Sequence, residues 1–320
     1  MKILLVCDQK IPALLYGGTE RIVWWLGQEL VNQGHQVTFL AGKGSYSNFA
    51  KVLIYNPDQD LESQIPEDVD IVHVHFPLNK PISKKPYITT LHGNSSALQE
   101  RDVNTVFISK NHAERHGSDV FVYNGLDFDE YGPVDWNMKR EHLLFLGKAS
   151  RSKKNIKGCI KMARALNEDL AVIGGRGLPF RKHVKYKGFI GGEKKSKVIN
   201  QSKALLFPVI WHEPFGLAIV ESLYFGAPAF GSKYGSLPEL IIPEVGYVSN
   251  SYQELTSAAA NYAEYDRKKC NQYVCDTFSV KNMTNGYIDI YQRVLDGQQL
   301  HKSRPYNLTK VEQRHYPMQD

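Results

Sequence analysis

The chain has 320 residues, of which 42% are hydrophobic and 22% charged, as in soluble globular proteins, so a fibrous or disordered chain is excluded. This length favours two domains over one. The formal net charge of +6 suits phosphate-bearing ligands or an anionic membrane surface, and the alternative is an ordinary solvated basic surface.

The sequence predicts a cytoplasmic protein. It contains no apolar run of bilayer length and no recognisable secretory signal. Its four cysteines are scattered without a Cys-x-x-Cys pair, which favours a reducing compartment. No histidine or cysteine pair has zinc-site spacing, so we expect neither a metal nor a required cofactor.

The first part of the chain predicts a parallel sheet. A strand at 2–7, a helix at 19–33 and a strand at 36–41 form a β-α-β unit, which implies parallel strands and a right-handed crossover. More strands follow with near-continuous apolar content, typical of parallel strands covered on both faces, at 52–55, 70–75, 87–91, 105–108 and 120–123.

A linker and a second α/β series follow. Residues 124–140 are rich in Gly, Asp, Pro and Asn, which indicates a linker. The second series has strands at 141–146, 170–173, 184–189, 204–207 and 228–230, and helices at 155–167, 193–202 and 217–225. We therefore predict an α/β protein with two tandem doubly wound domains, and a loosely packed tail over 297–320.

Two glutamates, Glu213 and Glu221, lie before and after the predicted start of a helix. Pro214 and Gly216 break the chain after a strand, so free helix N–H groups begin near Gly216 and suit a phosphate or a sugar hydroxyl. Glu221 lies inside a helix that is apolar nearly all round, so its carboxylate is buried and needs hydrogen-bond partners. A ribose diol is one candidate partner; a neighbouring loop or a lysine is the alternative.

A basic loop follows the strand 141–146, where ligands bind in open α/β sheets. Lys148 and Lys153 are the cations that we expect to neutralise a diphosphate and stabilise it as a leaving group. The alternative is a solvated basic loop.

Glycines and a histidine mark sites in the first domain. Gly17 and Gly18 allow close backbone approach between the first strand and helix, with Thr19 as helix cap, although a plain turn also explains them. His92 ends a strand at the carboxyl edge of the sheet and is a candidate sugar or acceptor contact. His73 and His75 are predicted to be packing residues.

These motifs occur in one order along the chain: Gly17-Gly18, His92-Gly93, Asn124-Gly-Leu-Asp127, Gly147-Lys148 with Lys153, and Glu213-Pro-Phe-Gly216 with Glu221. In that order they resemble the retaining glycosyltransferases of family 4, over residues 1 to about 295. The resemblance implies the GT-B fold, two tandem Rossmann-like domains with a deep interdomain cleft. The acceptor-side domain would span 1–128 and the nucleotide-sugar domain 129–279, with a last helix at about 280–296 packing back on the first.

The resemblance also implies residue roles. Glu221 would bind the donor ribose, and Glu213 would lie by the donor sugar and reacting phosphate. Lys148 and Lys153 would take the diphosphate, although Lys148 replaces the family's usual arginine and loses its bidentate geometry. The remaining donor contacts would be the phosphate-side glycines, the base-binding segment and the amides at the helix start: Gly17, Gly18, Phe189, Ile190, Phe215, Gly216 and Leu217.

The implied reaction is transfer of a hexose-type sugar from a nucleotide-sugar donor, UDP favoured, with retention of anomeric configuration. The acceptor would be a saccharide, a lipid-linked molecule or a small molecule, and no nucleic acid is expected. A GT-B nucleotide-sugar epimerase or hydrolase, or a non-catalytic nucleotide-sugar-binding subunit, is the alternative. The segments 80–85, which is basic, and 11–16, which is apolar, could contact an anionic membrane peripherally; ordinary loops explain them too.

Overall fold

The computed structural model describes residues 1–13, 17–94, 99–177, 183–308 and 315–320, which form two compact units. The first unit contains Met1–Ala13, Gly17–Leu126 and residues 280–308. The second contains Asp127–Ser279 and residues 315–320. The described chain therefore passes from the first unit to the second after Leu126 and returns to the first after Ser279. It passes to the second unit again between Leu308 and His315.

The first unit is a six-stranded parallel sheet with helices. Its elements up to residue 126 are β1 (Lys2–Cys7), α1 (Thr19–Asn32), β2 (Gln36–Ala41), β3 (Lys51–Ile54), β4 (Ile71–Val74), β5 (Tyr87–Leu91), β6 (Thr105–Phe107) and α2 (Lys110–Glu114). The strand order is β3-β2-β1-β4-β5-β6. The order reverses between β1 and β4, and the carboxyl ends of strands at such a switch point are where open α/β sheets bind ligands.

The second unit repeats this architecture. Its elements are β7 (His142–Leu146), α3 (Ile156–Ala165), β8 (Leu170–Ile173), β9 (Val184–Gly188), α4 (Gly192–Asn200), β10 (Ser202–Phe207), α5 (Leu217–Tyr224), β11 (Ala229–Gly231), α6 (Leu237–Leu240), β12 (Gly246–Val248), α7 (Tyr252–Ala260) and α8 (Arg267–Thr277). The strand order is β12-β11-β10-β7-β8-β9, and all pairings are parallel. The predicted α/β class with two parallel sheets is therefore confirmed.

The helix α9 (Val280–Leu295) packs on the first unit. Its side chains Tyr287 and Tyr291 are fully buried. The hydroxyl of Tyr291 lies 2.8 Å from Nδ1 of His73, and that of Tyr287 lies 3.1 Å from Oγ1 of Thr90. Two hydrogen-bonded tyrosines thus connect α9 to β4 and β5, and His73 has the packing role that its strand position predicts.

Local expectations differ from the structure at several positions. Residues 120–123 form no strand, because only an isolated bridge joins Phe121 to Phe107. The three-residue strand β12 was not predicted, since Gly246–Val248 is too short to show periodicity. Thr19 is the first helical residue and not the cap of α1; Gly18 holds the cap position without a side-chain hydrogen bond.

The segment after Gly297 packs more closely than its polar composition predicts. Leu300 and Asn307 are buried, and Arg101 N donates to Pro305 O at 2.7 Å. Residues 315–320 instead make hydrogen bonds within the second unit. The expected loose tail is thus two packed pieces among the described residues.

None of the helices that the structure describes combines the length and apolarity needed to cross a membrane.

Candidate functional site

Two loops meet at the carboxyl edge of the second sheet. The lysine loop (residues 147–155) follows β7, and the glutamate loop (residues 208–216) follows β10. Ile210 N donates to Lys153 O at 3.0 Å, and Asn155 Nδ2 donates to Pro208 O at 2.7 Å. These bonds hold the predicted basic residues beside the predicted glutamate motif.

The lysine loop depends on residues with unusual backbone conformations. Asn155 has φ +55, a conformation that asparagine tolerates, and its side chain caps α3 by accepting from Gly158 N. Gly174, after β8, has φ +100, and a Cβ there would lie 2.3 Å from the carbonyl oxygen of Gly147. Glycine at 174 therefore lets the lysine loop lie directly against the end of β8.

Glu213 is buried within a cluster of cations and aromatic rings. Its Oε2 accepts from Lys154 Nζ at 2.6 Å and from Trp211 Nε1 at 2.8 Å. The side chains of Glu213 and Lys154 are only 8% and 13% exposed. A carboxylate with this little solvent needs such hydrogen-bond donors, and the ammonium and the indole N–H supply them close to the helix start.

The two predicted lysines occupy different environments in the lysine loop. The ammonium of Lys153 lies 4.1 Å from the ring centroid of Trp211, a cation–π contact next to Glu213. Lys148 is partly exposed, and its ammonium has no hydrogen bond or ion pair with any other described residue. Lys153 therefore lies in the glutamate cluster, whereas Lys148 presents its charge at the loop surface.

Glu221 is buried on α5 and has protein partners. Its Oε1 accepts from Lys195 Nζ at 2.7 Å and from the hydroxyl of Tyr131 at 2.5 Å. The side chains of Lys195 and Glu221 are 11% and 3% exposed. The predicted burial is thus confirmed, and the lysine alternative is realised in the structure.

The start of α5 has no side-chain cap. Gly216 has φ +103 at the cap position, and its carbonyl accepts from Ile219 N at 2.9 Å. Phe215 is buried against Phe278, with ring centroids 5.7 Å apart. The helix begins at Leu217, so its first-turn N–H groups carry the partial positive charge of a helix N-terminus.

Phe189 and Ile190 come directly after β9, the edge strand of the second sheet. Phe189 is 43% exposed and Ile190 is partly exposed. An exposed aromatic ring at a strand end offers a stacking surface for a base.

The predicted sites of the first unit differ among themselves. His92 follows β5, and its Nε2 lies 3.0 Å from Nδ1 of His75, which is buried. Desolvation lowers the pKa of His92 to about 3, so its imidazole is neutral at physiological pH.

A Cβ on Gly17 would lie 2.6 Å from Cβ of Ala13, whereas one on Gly18 would meet nothing within 4 Å. Gly17 is therefore required by packing, and Gly18 borders open space.

The candidate membrane segments have local contacts. Lys80 pairs with Asp60 at 2.9 Å, and Lys85 Nζ donates to Val69 O at 3.0 Å. Ile11 is fully buried, and residues 14–16 lie outside the described residues. Two lysines of the basic segment thus have local partners within the first unit.

Among the residues described, no group of three or more His, Cys, Asp or Glu side chains could hold a metal ion. The cysteines are free, and burial raises the pKa of Cys7 and Cys270 to about 12.

Sequence reasoning missed the residues that complete the two glutamate environments. These are Trp211, Lys154, Lys195 and Tyr131. Lys154 lies in the basic loop already singled out and Trp211 lies two residues before Glu213, so their proximity to Glu213 could have been considered. Lys195 and Tyr131 reach Glu221 from distant positions in the chain, and no sequence pattern indicated them.

Comparison with known proteins relates the second unit to sugar transfer. Residues 130–275 match the sequence profile of the family described as "Glycosyl transferases group 1". A phosphatidyl-myo-inositol mannosyltransferase from Propionibacterium freudenreichii is 23% identical over 326 aligned positions, covering 82% of this chain and 85% of that protein. An uncharacterised 41.2 kDa protein in the cps region of Klebsiella pneumoniae is 24% identical over 35% of this chain, which spans about a third (33%) of that protein's length.

Solved structures share the fold at low sequence identity. AviGT4, a glycosyltransferase involved in avilamycin A biosynthesis, has a TM-score of 0.77 and 20% identity, covering 93% of this chain and 98% of that chain. WaaG, a glycosyltransferase involved in lipopolysaccharide biosynthesis, has a TM-score of 0.67 and 12% identity, with 90% and 99% covered. HepE from Anabaena, in complex with UDP and glucose, has a TM-score of 0.66 and 15% identity, with 91% and 99% covered. The predicted GT-B class, with two Rossmann-like domains, is therefore confirmed.

Proposed function

We propose that this chain is a glycosyltransferase that moves a hexose-type sugar from a nucleotide-sugar donor to a saccharide, lipid-linked or small-molecule acceptor. We propose UDP as the nucleotide and retention of the anomeric configuration. The match of residues 130–275 to the group 1 glycosyltransferases and the similarity to a mannosyltransferase support the transferase class. The UDP-bound HepE structure, which shares the fold, motivates the choice of nucleotide.

The strongest support for the proposal is the environment of Glu213 near the start of α5. Glu213 is a buried carboxylate, paired with Lys154 and Trp211, and only a few residues separate it from the uncapped start of α5. A buried carboxylate beside the N–H groups of the first helical turn offers hydrogen-bond acceptors and donors within one small site. Sugar hydroxyls need both, and a phosphate needs the donors.

The bond-breaking help comes from the lysine loop. In the proposed reaction the bond between the anomeric carbon and the donor phosphate breaks, and the negative charge collects on the departing diphosphate. Lys148 and Lys153 would stabilise that charge, because both lie in the loop at the carboxyl end of β7. Lys154 is engaged by Glu213, so we assign it to positioning that carboxylate.

The acceptor hydroxyl would attack the same face that the diphosphate leaves. Its oxygen bonds to the anomeric carbon, and its proton passes to the leaving phosphate oxygen, so no protein base is needed. Glu213 would hold the donor sugar and is not assigned as a nucleophile. His92, neutral at physiological pH, would contribute a hydrogen bond and no charge.

The donor ribose would bind at Glu221, and Phe189 with Ile190 would contact the base. Lys195 and Tyr131 already donate to Oε1 of Glu221, so ribose hydroxyls must bind alongside these donors or replace one of them. We propose further that Gly18, which borders open space at the start of α1, allows a phosphate to approach the backbone closely.

The first test is a thermal-shift screen of the purified chain against UDP-, GDP- and ADP-sugars. A ligand at about 100 times its Kd should stabilise the protein by about 2.7 kcal/mol, because it binds only the folded state. Absence of a shift with every nucleotide sugar would contradict the proposed donor class.

The second test follows donor and product by mass spectrometry and NMR, with and without a panel of glycosidic, lipid-linked and small-molecule acceptors. Transfer predicts acceptor-dependent release of the nucleotide and a product with the donor's anomeric configuration. Release of free sugar at a rate that no acceptor changes would identify a hydrolase, and an isomerised sugar would identify an epimerase. Binding without turnover would identify a non-catalytic subunit.

A further inference from the structure

Residues 315–320 pack against the glutamate loop. Tyr316 N donates to Ile210 O at 2.8 Å. The ring centroid of Tyr316 lies 4.5 Å from that of His212 and 5.0 Å from that of Tyr234. Two residues of the glutamate loop, on either side of Trp211, thus contact this one tyrosine.

The same segment is anchored at several other points of the second unit. Ser152 Oγ lies 2.8 Å from Nε2 of His315, which connects the segment to the lysine loop. Gln319 N donates to Asn250 O at 2.7 Å, and Tyr252 N donates to Gln319 O at 2.9 Å. Lys161 pairs with Asp320. The segment is therefore fixed in place on the second unit, and it contacts both the lysine loop and the glutamate loop.

The contacts of Tyr316 reach Glu213 through Trp211. Ile210 and His212 flank Trp211, whose indole N–H donates to the Glu213 carboxylate at 2.8 Å. On its other side the loop is held by Gly235 N, which donates to Nδ1 of His212 at 3.1 Å. Without Tyr316, Ile210 and His212 would lose their support on one side, and the direction of the Trp211 side chain would be less well fixed.

The segment buries little surface of its own. His315, Pro317, Gln319 and Asp320 are exposed, and Tyr316 is only partly exposed. Because stabilisation by burial scales with the apolar area removed from water, the segment contributes little to global stability. His315 and Tyr316 contact the two loops of the candidate site, whereas Met318 packs against the hydrophobic core and the last two residues bind elsewhere in the second unit.

We infer that residues 315–320 form a positioning element for the transfer reaction, in which Tyr316 fixes the glutamate loop so that Trp211 and Glu213 hold the donor sugar in the reactive orientation. This inference rests on the proposed function. Tyr316 is a positioning residue, because it acts through the loop and is assigned no contact with substrate.

The test compares Tyr316→Ala with Tyr316→Phe and with Tyr306→Ala, a matched control at an exposed tyrosine of the first unit. Tyr316→Ala should lower kcat about ten- to hundred-fold and leave the donor KM within about threefold, because small misplacements of a catalytic group cost rate. Amide hydrogen exchange in residues 208–216 should become faster. Tyr316→Phe keeps the ring and should retain native kcat and exchange, and Tyr306→Ala should do the same.

A chain that ends at residue 314 should behave like Tyr316→Ala and should regain activity when a synthetic peptide of residues 313–320 is added. Native kcat in Tyr316→Ala, or unchanged exchange of the glutamate loop, would overturn the inference. The exchange measurement needs no turnover. If the native chain transfers no sugar at all, the proposed function fails, while loop exchange still decides whether the segment positions the loop.

Discussion

At the scale of single residues, Glu213 and Lys154 form an ion pair with little access to solvent. Lys154→Met leaves the carboxylate buried without its cation, which costs about 3–5 kcal/mol in comparable pairs. We expect the free energy of unfolding, measured by urea denaturation, to fall by about that amount. The neighbouring Lys153→Met removes only a cation–π contact with Trp211 and should cost about 1 kcal/mol. Equal losses in the two variants would contradict the assignment of the buried pair.

Glu213→Gln separates charge from shape in the same cluster. The amide is isosteric but carries no negative charge, so it weakens the contacts with Lys154 and with sugar hydroxyls. We expect kcat to fall about hundred-fold with a smaller change in donor KM, because the carboxylate acts on the reacting sugar in the proposed mechanism. The measurement is steady-state transfer with the donor found in the thermal-shift screen. Native kcat in this variant would remove Glu213 from the reaction.

Glu221 and Lys195 can be tested as a coupled pair. Lys195→Met and Glu221→Leu should each destabilise the chain by about 3–5 kcal/mol, because each leaves one buried charge uncompensated. The double variant should cost clearly less than the sum, since it removes both charges together. Nucleotide affinity adds a second readout: Glu221→Leu should weaken binding of the nucleotide itself, which contains the ribose. Additive stability losses would mean that the two charges do not interact.

The sequence predicted part of these residue environments. Burial of Glu221 follows from the apolar surroundings of its helix, and the structure agrees. Its lysine partner was foreseen only as an alternative, because Lys195 lies on α4 and no local pattern connects it to α5. Lys154 was passed over for Lys153, since adjacent lysines in a loop cannot be told apart until the loop conformation is known.

At the scale of elements, the approach of the lysine loop to β8 depends on glycine at position 174. Gly174→Ala would place a Cβ 2.3 Å from the Gly147 carbonyl oxygen, at a φ of +100. The matched control is Gly34→Ala after α1, where φ is +85 but nothing lies within 4 Å. The control should cost about 1–2 kcal/mol from backbone strain alone. Gly174→Ala should cost at least about 3 kcal/mol, because the loop must also move.

The same displacement of the lysine loop should weaken ligand binding. Movement of the lysine loop shifts Lys148 and Lys153, so nucleotide affinity should fall about ten-fold or more in Gly174→Ala and stay native in Gly34→Ala. Isothermal titration with the nucleotide measures both variants. Native affinity in Gly174→Ala would show that the loop tolerates the extra atom.

Most elements could be predicted from periodicity because buried parallel strands and amphipathic helices leave strong patterns. The strands at 2–7 and 36–41 have the predicted bounds. The failures lie where the signal is short or tertiary. Residues 120–123 are apolar because they pack within the first unit beside β6. They pair with β6 only through an isolated bridge and therefore form no strand. The strand β12 has three residues and begins with glycine, which no propensity favours.

At the scale of the whole molecule, buried histidines make the first unit sensitive to acid. Desolvation is the main cause that lowers the pKa of six histidines described in that unit: His35, His73, His75, His92, His112 and His116. The values for His92 and His116 fall to about 3 and about 4. In the unfolded chain a histidine titrates near 6.5. Below that pH the unfolded state therefore binds more protons than the folded state.

The direction in which stability changes with pH follows from this difference in bound protons. The stability that these neutral histidines contribute is fully present above about pH 6.5. It is lost as pH falls towards their pKa values in the folded protein, about 4 for His116 and about 3 for His92, by up to about 1.4 kcal/mol per pH unit for each histidine. Urea titrations at pH 7 and pH 5 should show a large loss for the first unit. The fluorescence of Trp24 and Trp25 reports on it when Trp136 and Trp211 are replaced by phenylalanine. His116→Gln should make the pH dependence shallower by about one proton. A stability that stays constant from pH 7 to pH 5 would contradict the buried, neutral state of these histidines.

The order in which the chain visits its two units limits how the molecule can be divided. The first unit needs α9 and residues 297–308, which come after the whole α/β series of the second unit, and the second unit needs residues 315–320. A gene cut after residue 126 or after residue 279 therefore encodes neither unit intact. Exchange of the first unit for that of a related protein would here require two separate pieces of sequence to be transplanted together.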